Sequence, residues 1–235
     1  MSNTHNPLPF LSCIILAAGE SKRLGTAKQL LDWHGETILA KAIRTLEGIS
    51  PKYASGMEII VVLGARYEEI LPTLTSCRII TCKNERWHEG MGTSISTAMH
   101  SVSPHTSAVL VSVCDQVLMT TADYEQLLSA FLTGNSTIAA TRYGENAGVP
   151  AVFAPQYFLH LQSLSGERGA KSILQKYKSD VTLVDLPAAL VDIDTAEDYV
   201  QAMGMEEPTP CPLPREGKSK KINKLPHIVP SREQI

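Results

Sequence analysis

The sequence contains no apolar run that approaches the roughly 18 residues needed to cross a bilayer. Its longest apolar runs, CIILAAG, IIVVLGA and AVLVSVC, have the length of buried strands. A basic excess is also missing, because the formal net charge at pH 7 is −3. Since a surface that binds nucleic acid must neutralise phosphates, this charge argues against DNA or RNA as the main partner. The sequence therefore predicts a soluble globular protein with neither a membrane nor a nucleic acid as its partner.

Cysteine and histidine are present but lack the spacing of a disulfide framework or a zinc site. The five cysteines form no CxxC pair, and the histidines form no HxxxH or HxH pair. Reduced thiols in the core are the better expectation, which fits a cytoplasmic protein.

One stretch near the beginning of the chain, FLSCIILAAG, has the apolar core and the small-residue end of an export signal. The preceding MSNTHNPLP has no Lys or Arg, and cations follow the apolar run instead of preceding it. This order of charges disfavours export and again predicts a cytoplasmic protein. The cations after the run then need another explanation.

Short apolar segments alternate with amphipathic segments along most of the chain. Strands are predicted at 11–17, 57–63, 78–82, 107–113, 137–143, 148–154 and 181–185. Helices are predicted at 37–48, 94–102, 122–132, 156–163 and 169–177, with a last helix capped by Thr195. This alternation predicts an α/β fold with a mainly parallel sheet covered by helices on both faces. In such folds ligands bind beyond the carboxyl ends of the strands, so the functional residues are sought there.

The composition changes after Met203. The segment that follows holds six of the fourteen prolines and shows neither a helical nor a strand period. Residues 208–235 carry six Lys or Arg and two Asp or Glu. These features predict a basic, Pro-rich tail over 206–235 that is disordered or loosely attached, separate from a folded domain over 1–205.

The first candidate site follows the first predicted strand, in LAAGESKRLGTAKQLL. Ala17, Ala18 and Gly19 have little or no side chain, so backbone N–H groups there can approach a ligand closely. Ser21 adds a hydroxyl donor, and the cations at positions 22, 23 and 28 would together neutralise a triphosphate. On charge alone, a solvated loop after a buried strand explains these residues equally well. Neither GxxxxGK[ST] nor GxGxxG is present, so a P-loop NTPase and a dinucleotide-binding protein lack direct support.

A second candidate site lies in SVCDQV, directly after the predicted strand AVLVSV. A carboxylate at the carboxyl end of a strand points into the ligand crevice. Asp115 at this position suits Mg²⁺, which prefers one or two carboxylates together with substrate phosphate oxygens. The alternative is an aspartate that caps a turn, and the triphosphate-sized loop favours the metal.

A third candidate site is VDIDTAEDY, in which Asp192 and Asp194 alternate with Ile193. The alternation places both carboxylates on one face of an extended segment. Two close carboxylates repel each other unless a cation or a donor lies between them. The alternative is that one of them caps the following helix. Asp194 is the nearer to that helix, so Asp192 is the favoured metal ligand.

Two glycine-rich stretches complete the set of candidates. In NERWHEGMGTSISTAM, Gly92 and Ser94 lie where a helix is predicted to begin, which suits an anion or a polar base edge. A glycine turn capped by a threonine is an equally good interpretation. In SLSGERGAKSIL, Gly166 and Gly169 flank a loop that could close over a second substrate.

The pattern LAAGxSxRxGxxKxLL occurs in full from Leu16 to Leu31 and resembles a known nucleotidyltransferase family. That family includes the molybdenum cofactor nucleotidyltransferases and the cytidylyltransferases of sugars and isoprenoids. The resemblance implies a three-layer Rossmann-like fold in which the loop that starts at Leu16 wraps the phosphates of an NTP. It implies that Arg23 holds the β- and γ-phosphates and that Lys28 holds the α-phosphate under attack.

The same resemblance extends to the other candidate sites. It implies that Mg²⁺ is held by Asp115 together with an aspartate of the late segment, Asp192 or Asp194. It also implies that Gly92 and Ser94 lie near the base and sugar of the nucleotide.

Several further stretches resemble the molybdenum cofactor cytidylyltransferase branch of this family, in the same order over about residues 11–203. They are CDQ, GVPAVF, SGERGAKSIL and VDIDTAED. The resemblance implies CTP as the donor and a molybdopterin-type acceptor, with a molybdoenzyme or its chaperone as a candidate partner. Gln116, Gly148 and Arg168 are the residues expected on the acceptor side. Val117 departs from the branch, which usually has proline after the Asp-Gln pair.

Two other functions stay open on the sequence. A nucleotidyltransferase acting on a sugar phosphate or methylerythritol phosphate would keep the same phosphate contacts and change only the acceptor pocket. A non-catalytic nucleotide-binding accessory protein of molybdoenzyme maturation belongs to a different class, and the presence of Arg23, Lys28 and Asp115 argues against it. An oxidoreductase is disfavoured by the missing GxGxxG.

Overall fold

The computed structural model describes residues 7–75 and 77–205. The strands of this part are β1 (Leu11–Ala17), β2 (Asp32–Trp33), β3 (Glu36–Thr37), β4 (Met57–Leu63), β5 (Ile80–Lys83), β6 (Ala108–Val113), β7 (Ile138–Tyr143), β8 (Asn146–Phe153) and β9 (Val181–Val184). Its helices are α1 (Ile38–Glu47), α2 (Tyr67–Ile70), α3 (Met91–Met99), α4 (Thr121–Thr133), α5 (Phe158–Gln162), α6 (Lys171–Lys176) and α7 (Ala196–Met203).

Seven of the strands form one sheet in the order β5-β4-β1-β6-β8-β7-β9. All neighbouring pairs are parallel except those of β8, which runs antiparallel to both β6 and β7. The predicted mainly parallel sheet is therefore confirmed. The carboxyl ends of β1, β4 and β6 lie side by side, which brings the loops that follow these strands to one edge of the sheet.

Helices pack on both faces of the sheet, because successive residues of each buried strand point to opposite sides. In β1, Cys13 and Ile15 belong to the core that also contains Leu39 of α1 and Leu127 of α4. The intervening Ile14 and Leu16 belong to the opposite core, which contains residues of α3, α5 and α6. This arrangement is the predicted three-layer Rossmann-like fold.

A third, smaller core lies beside the sheet and matters for the site. It joins Trp33 of β2, Ile38 of α1, Val117, Ile193 and Ala202 of α7, all of them buried. The short antiparallel pair of β2 and β3 that carries Trp33 is not predicted from the sequence, because two-residue strands leave no period to detect.

Some predicted boundaries differ from the observed ones. Helix α3 begins at Met91 and not at residue 94, because Gly90 adopts the left-handed backbone (φ 117°) and the helix starts directly after it. The predicted helix over 156–163 is divided into a 3-10 turn at Pro155–Tyr157 and the short α5. The cap of the last helix is confirmed: the Thr195 side chain accepts from the Asp198 N–H, and Asp198 completes a capping box.

The predicted tail over 206–235 and Cys211 lie outside the described part of the chain. The four cysteines inside it, Cys13, Cys77, Cys82 and Cys114, are free, as expected for reduced thiols. Of the helices that the structure describes, none is both long and apolar enough to span a membrane.

Candidate active site

The side chain of Lys28 lies where the three candidate segments meet. These are the loop after β1, the segment after β6 and the segment before α7. The Lys28 Nζ donates to Asp115 Oδ2 at 2.6 Å and to Asp194 Oδ1 at 3.0 Å. It also donates to the Ile193 carbonyl at 3.1 Å. Lys28 follows β1, Asp115 follows the neighbouring β6, and Asp194 precedes α7, so residues far apart in sequence meet at the carboxyl edge of the sheet.

The loop between β1 and Lys28 is shaped by its own backbone. Ser21 adopts the left-handed conformation (φ 59°), and its carbonyl accepts from the N–H groups of Leu24 and Gly25. Gly25 is also left-handed (φ 72°), where a residue without Cβ is strongly favoured. The Ser21 hydroxyl accepts from the Lys28 N–H at 3.2 Å. The Ser21 hydroxyl thus connects the beginning of the loop to its end at Lys28. The contact of Ser21 with a ligand stays a prediction.

Gln29 fixes the other side of this loop and is missed by sequence reasoning. Its side chain is fully buried, and Nε2 donates to the carbonyls of Ala17 at 2.8 Å and Gly19 at 3.0 Å. Through these contacts Gln29, which directly follows Lys28, holds the beginning of the loop in place. The sequence signal for this role is weak: Gln29 is a neutral polar residue directly before Leu30 and Leu31.

Arg23 lies at the mouth of the site. Its Nη2 donates to Asp194 Oδ2 at 2.6 Å, and two-thirds of its side chain is exposed. Asp194 therefore receives both Arg23 and Lys28 on one carboxylate. Burial alone would raise the pKa of Asp194, but the hydrogen bond and charge of Lys28, aided by Arg23, lower it below its ordinary value.

Lys28 is the most deeply buried cation of the cluster, with 12% of its side chain exposed. Burial disfavours the ammonium, but the charge of Asp115 and the hydrogen bonds of Asp115 and Asp194 outweigh it and raise the pKa of Lys28. Lys28 is therefore a fixed positive charge at neutral pH. Such a charge can stabilise negative charge that develops on a phosphate but cannot act as a base.

The two late aspartates have different environments. The sequence leaves open that one of them caps α7, with Asp194 the nearer, but Thr195, the predicted cap, and Asp198 cap that helix. Asp198 accepts the N–H of Asp194 at 3.2 Å, which leaves the Asp194 carboxylate to Lys28 and Arg23. Ile193 between the aspartates is fully buried, and its N–H donates to the Asp115 carbonyl at 3.1 Å.

Asp192 forms no ion pair with any cation in the part of the chain that the structure covers. Burial raises its pKa above the ordinary value, and the nearby carboxylates of Asp115 and Asp194 raise it further. The positive charge of Lys28 offsets these effects only in part. The role of Asp192 as the favoured metal ligand stays a prediction.

The carboxylates fit a divalent metal by their chemistry. Asp115, Asp192 and Asp194 offer the hard oxygen ligands that Mg²⁺ and Mn²⁺ prefer. Within residues 7–75 and 77–205, however, no group of three or more His, Cys, Asp or Glu is already arranged around one point. Lys28 lies between Asp115 and Asp194 instead. The metal ligands therefore stay a prediction.

A substitution at Asp192 tests this electrostatic description without any ligand. A carboxyl group with a raised pKa in the fold destabilises the fold when it is ionised, and this effect vanishes once the pH falls below its ordinary value of 3.8. We expect Asp192→Asn to raise the melting temperature at neutral pH in the presence of EDTA. The difference from the unaltered protein should shrink to nothing as the pH falls below that value. A lower melting temperature for the variant at neutral pH would contradict the description.

The predicted nucleotide contacts on α3 are engaged with protein groups. The Gly92 N–H donates to the Gly166 carbonyl at 2.9 Å, and the buried Ser94 Oγ accepts from Asn84 Nδ2 at 2.9 Å. A Cβ on Gly92 would lie 2.6 Å from the Ser165 carbonyl oxygen. The loop predicted to close over a second substrate therefore packs against the beginning of α3. No hydrogen bond of the described residues joins this region to Lys28.

The predicted acceptor residues lie in two places. Gln116 Nε2 donates to the Tyr143 hydroxyl at 2.8 Å and to the Ala189 carbonyl at 2.9 Å. Gly148 lies under the Tyr143 ring, where a Cβ would come within 2.6 Å of a ring carbon. Gln116 and Gly148 thus both contact Tyr143, whereas Arg168 is exposed in the loop before α6.

Tyr143 is a second residue that sequence reasoning misses. Its pKa is raised to about 12, because burial outweighs the hydrogen bond from Gln116 and because Asp192 and Asp115 add their negative charge. Tyr143, at the end of β7, therefore lies near enough to these carboxylates to be affected by their charge. Its position at the end of a strand is the sequence signal that could have identified it.

Comparisons with known proteins identify the family and the fold. Residues 13–181 match the family model described as the MobA-like NTP transferase domain. The chain is 28% identical to nicotine blue oxidoreductase of Paenarthrobacter nicotinovorans, over 83% of this chain and 98% of that protein. It is 26% identical to the molybdenum cofactor cytidylyltransferase of Escherichia coli K12, over 82% of this chain and 95% of that protein.

A solved structure shares the fold. The crystal structure of Rv0371c of Mycobacterium tuberculosis H37Rv in complex with manganese superimposes with a TM-score of 0.65 at 21% identity, covering 82% of this chain and 97% of that one. The match to the family model covers well over half of the sequence and includes the loop after β1, Lys28 and Asp115. The protein described here is thus a member of the MobA-like NTP transferase domain family.

Proposed function

We propose that this protein is a Mg²⁺-dependent nucleotidyltransferase that transfers CMP from CTP to the phosphate of a molybdopterin-type molybdenum cofactor and releases pyrophosphate. The observation that supports this proposal most strongly is the position of Lys28, held at 2.6 Å from Asp115 at the carboxyl ends of two parallel strands. Membership in an NTP transferase family supports the reaction class. The likeness to a molybdenum cofactor cytidylyltransferase supports the choice of CTP and acceptor.

The proposed reaction is an in-line displacement at the α-phosphorus of CTP. An oxygen of the acceptor phosphate forms a new P–O bond, and the bond to the β-phosphate breaks, so that pyrophosphate leaves. The attacking oxygen is already ionised at neutral pH, so no general base is required. Such chemistry depends on positioning and on stabilisation of charge in the transition state.

Each residue of the site has a separate proposed role in this reaction. The backbone of residues 16–19 and Ser21 would cradle the phosphates, while Arg23 at the mouth would hold the β- and γ-phosphates. Lys28 would stabilise the negative charge that develops around the α-phosphate, because its positive charge is buried and fixed. Asp115 and Asp192, with Asp194 beside them, would hold the Mg²⁺. The metal, when bound, neutralises phosphate charge and aligns the leaving group.

Arg23 and Lys28 both bind Asp194 in the structure, which suggests how the site is kept ordered. The Asp194 carboxylate binds both side chains, so both cations lie at the same edge of the sheet. On the acceptor side we propose that Gln116, Gly148 and Arg168 contribute, with Tyr143 as the residue that connects the first two. Gly92 and Ser94 stay proposed contacts of the nucleoside.

We propose further that the transferase domain comprises residues 1–205, that residues 206–235 form a separate tail, and that the protein acts in the cytoplasm. A molybdoenzyme or its chaperone would receive the product. These statements rest on the sequence pattern and on the likeness to the cytidylyltransferase.

A matrix of donors and acceptors tests the proposal. The purified chain is incubated with each of the four NTPs, with or without Mg²⁺, and with molybdenum cofactor, a sugar phosphate or methylerythritol phosphate as the acceptor. We expect pyrophosphate release only with CTP, Mg²⁺ and molybdenum cofactor together. Release with another acceptor would instead identify one of the other nucleotidyltransferases. Binding of CTP without release would identify an accessory protein.

The same preparation is assayed for oxidation of NADH and NADPH, because one similar protein bears the name of an oxidoreductase. We expect no oxidation above the rate without protein, since the chain lacks the GxGxxG pattern. Acceptor-dependent oxidation in the absence of pyrophosphate release would overturn the proposed function.

A further inference from the structure

Helix α1 carries a buried lysine that the candidate active site does not include. Lys41 is 6% exposed and lies on the face of α1 that also buries Ile38 and Thr45. A buried ammonium is costly unless hydrogen bonds replace its water shell. Lysine at this depth therefore indicates a specific set of partners. A helix that needed only an apolar face would be served better by leucine or methionine.

The partners of Lys41 include two backbone carbonyls of the turn that follows Asp115. Its Nζ donates to the carbonyls of Val117 and Met119, the latter at 2.6 Å. Both of these residues are buried themselves, so water does not reach their side chains. The ammonium of this α1 residue thus bridges two carbonyls of the turn between β6 and α4. Val117 is 76 residues away from Lys41 in the sequence.

The turn that Lys41 holds is the one that carries the strand-end carboxylate. Within it, the Met119 N–H donates to the Gln116 carbonyl at 3.1 Å. Its beginning is attached to the late aspartate segment by the hydrogen bond from the Ile193 N–H to the Asp115 carbonyl. Lys41 therefore fixes the far end of a short segment whose near end places the Asp115 carboxylate against Lys28.

We infer that Lys41 is a positioning residue, which holds the turn after Asp115 so that this carboxylate lies where the metal and Lys28 need it. The inference rests on the proposed function, because it assigns a purpose to the turn within that reaction. The hydrogen bonds to Val117 and Met119 reach main-chain oxygens of the turn, so Lys41 acts on Asp115 through the backbone. It is not a catalytic residue.

Lys41→Met tests this inference, because methionine keeps the unbranched apolar stem, one atom shorter, and removes the ammonium. The carbonyls of Val117 and Met119 then lose a buried donor, and the turn should loosen. We expect the kcat for CMP transfer to fall about tenfold or more while the KM for CTP changes less than about twofold. The Mg²⁺ concentration for half-maximal rate should rise several-fold, because Asp115 would be less well placed.

Thr45→Val is the matched control. Thr45 lies one turn farther along the same buried face of α1, and its Oγ1 donates to the Lys41 carbonyl at 2.8 Å. This variant removes a buried hydrogen bond from the same helix and leaves the ammonium that holds the turn after Asp115. We expect a lower melting temperature with unchanged kcat and unchanged Mg²⁺ requirement. If both variants lose kcat in proportion to their lost stability, Lys41 is only a structural residue and the inference is wrong.

Amide hydrogen exchange keeps the test independent of the proposed activity. A peptide that covers residues 114–120 should exchange about tenfold faster in Lys41→Met than in Thr45→Val when both are measured well below their melting temperatures. Should Lys41→Met fail to fold, Lys41→Gln, which keeps an amide donor, is measured in the same way and should give a smaller change in the same direction. Unchanged exchange in a folded variant overturns the inference even if the wild-type protein proves to catalyse another reaction. Faster exchange with unchanged kcat, in a protein that does transfer CMP, overturns the positioning role.

Discussion

Replacing Lys28 by alanine is expected to lower the kcat of nucleotidyl transfer by about two to three orders of magnitude. The reason is the depth and permanence of its charge. Lys28 is largely buried, and its two carboxylate partners raise its pKa, so that it stays an ammonium in the working range of pH. A charge held in place before the reaction stabilises the transition state without reorganisation, and alanine removes that contribution completely.

The KM for CTP should change much less than kcat, since Arg23 and the loop backbone would still bind the triphosphate. Lys22→Ala is the matched control, because Lys22 belongs to the same loop, is mostly exposed and pairs with Glu20 at 3.3 Å. That variant should retain kcat within about twofold. Steady-state kinetics with CTP at saturating acceptor measures both. An unchanged kcat for Lys28→Ala would remove Lys28 from the mechanism, whatever its effect on stability.

Asp115→Asn is expected to lower activity by at least about two orders of magnitude and to remove the dependence of the residual rate on Mg²⁺. Asparagine keeps the shape of the side chain and can still accept a hydrogen bond from Lys28. It lacks the negative charge that a hard divalent cation requires of its ligands. The loss should therefore come from metal binding and from the altered charge around Lys28, and not from disruption of the fold.

Asp185→Asn is the matched control, because it also replaces a carboxylate by an amide. Asp185 is mostly exposed and pairs with Arg142 at 2.9 Å, and among the described residues it forms no ion pair with Lys28 or Arg23. Its substitution should leave kcat and the Mg²⁺ requirement unchanged. If a higher Mg²⁺ concentration restored the full rate of Asp115→Asn, Asp115 would be a weak metal contact, and the central role given to it here would be wrong.

The sequence predicts the sheet and the edge at which the site lies for clear physical reasons. Buried parallel strands appear as short apolar runs, and their carboxyl ends meet at one edge. Lys28 and Asp115 follow two such runs, so the sequence alone predicts that they lie at the same edge. The alternation around Ile193 likewise predicts that both late aspartates face away from the apolar core, and the buried Ile193 agrees with this.

The contacts between distant elements could not be predicted in the same way. Which aspartate pairs with the cations depends on the path of the chain before α7, and the sequence leaves open a capping role for one of them that Thr195 and Asp198 fill. Gln29, Lys41 and Tyr143 act on backbone groups or hydroxyls of other segments, and no periodicity marks such a role. The packing of the loop at residue 166 against Gly92 is also a tertiary contact between glycines, which carry no side-chain signal.

The most direct test of the proposed function follows the α-phosphorus of CTP. The protein is incubated with Mg²⁺, molybdenum cofactor and CTP labelled either at the α-phosphorus or at the γ-phosphorus, and the products are separated. The proposed chemistry predicts that the α-label appears in the cofactor product and that the γ-label appears in pyrophosphate, in equal amounts. If the α-label stays in CTP or appears in free CMP whatever acceptor is supplied, the protein does not perform the proposed transfer.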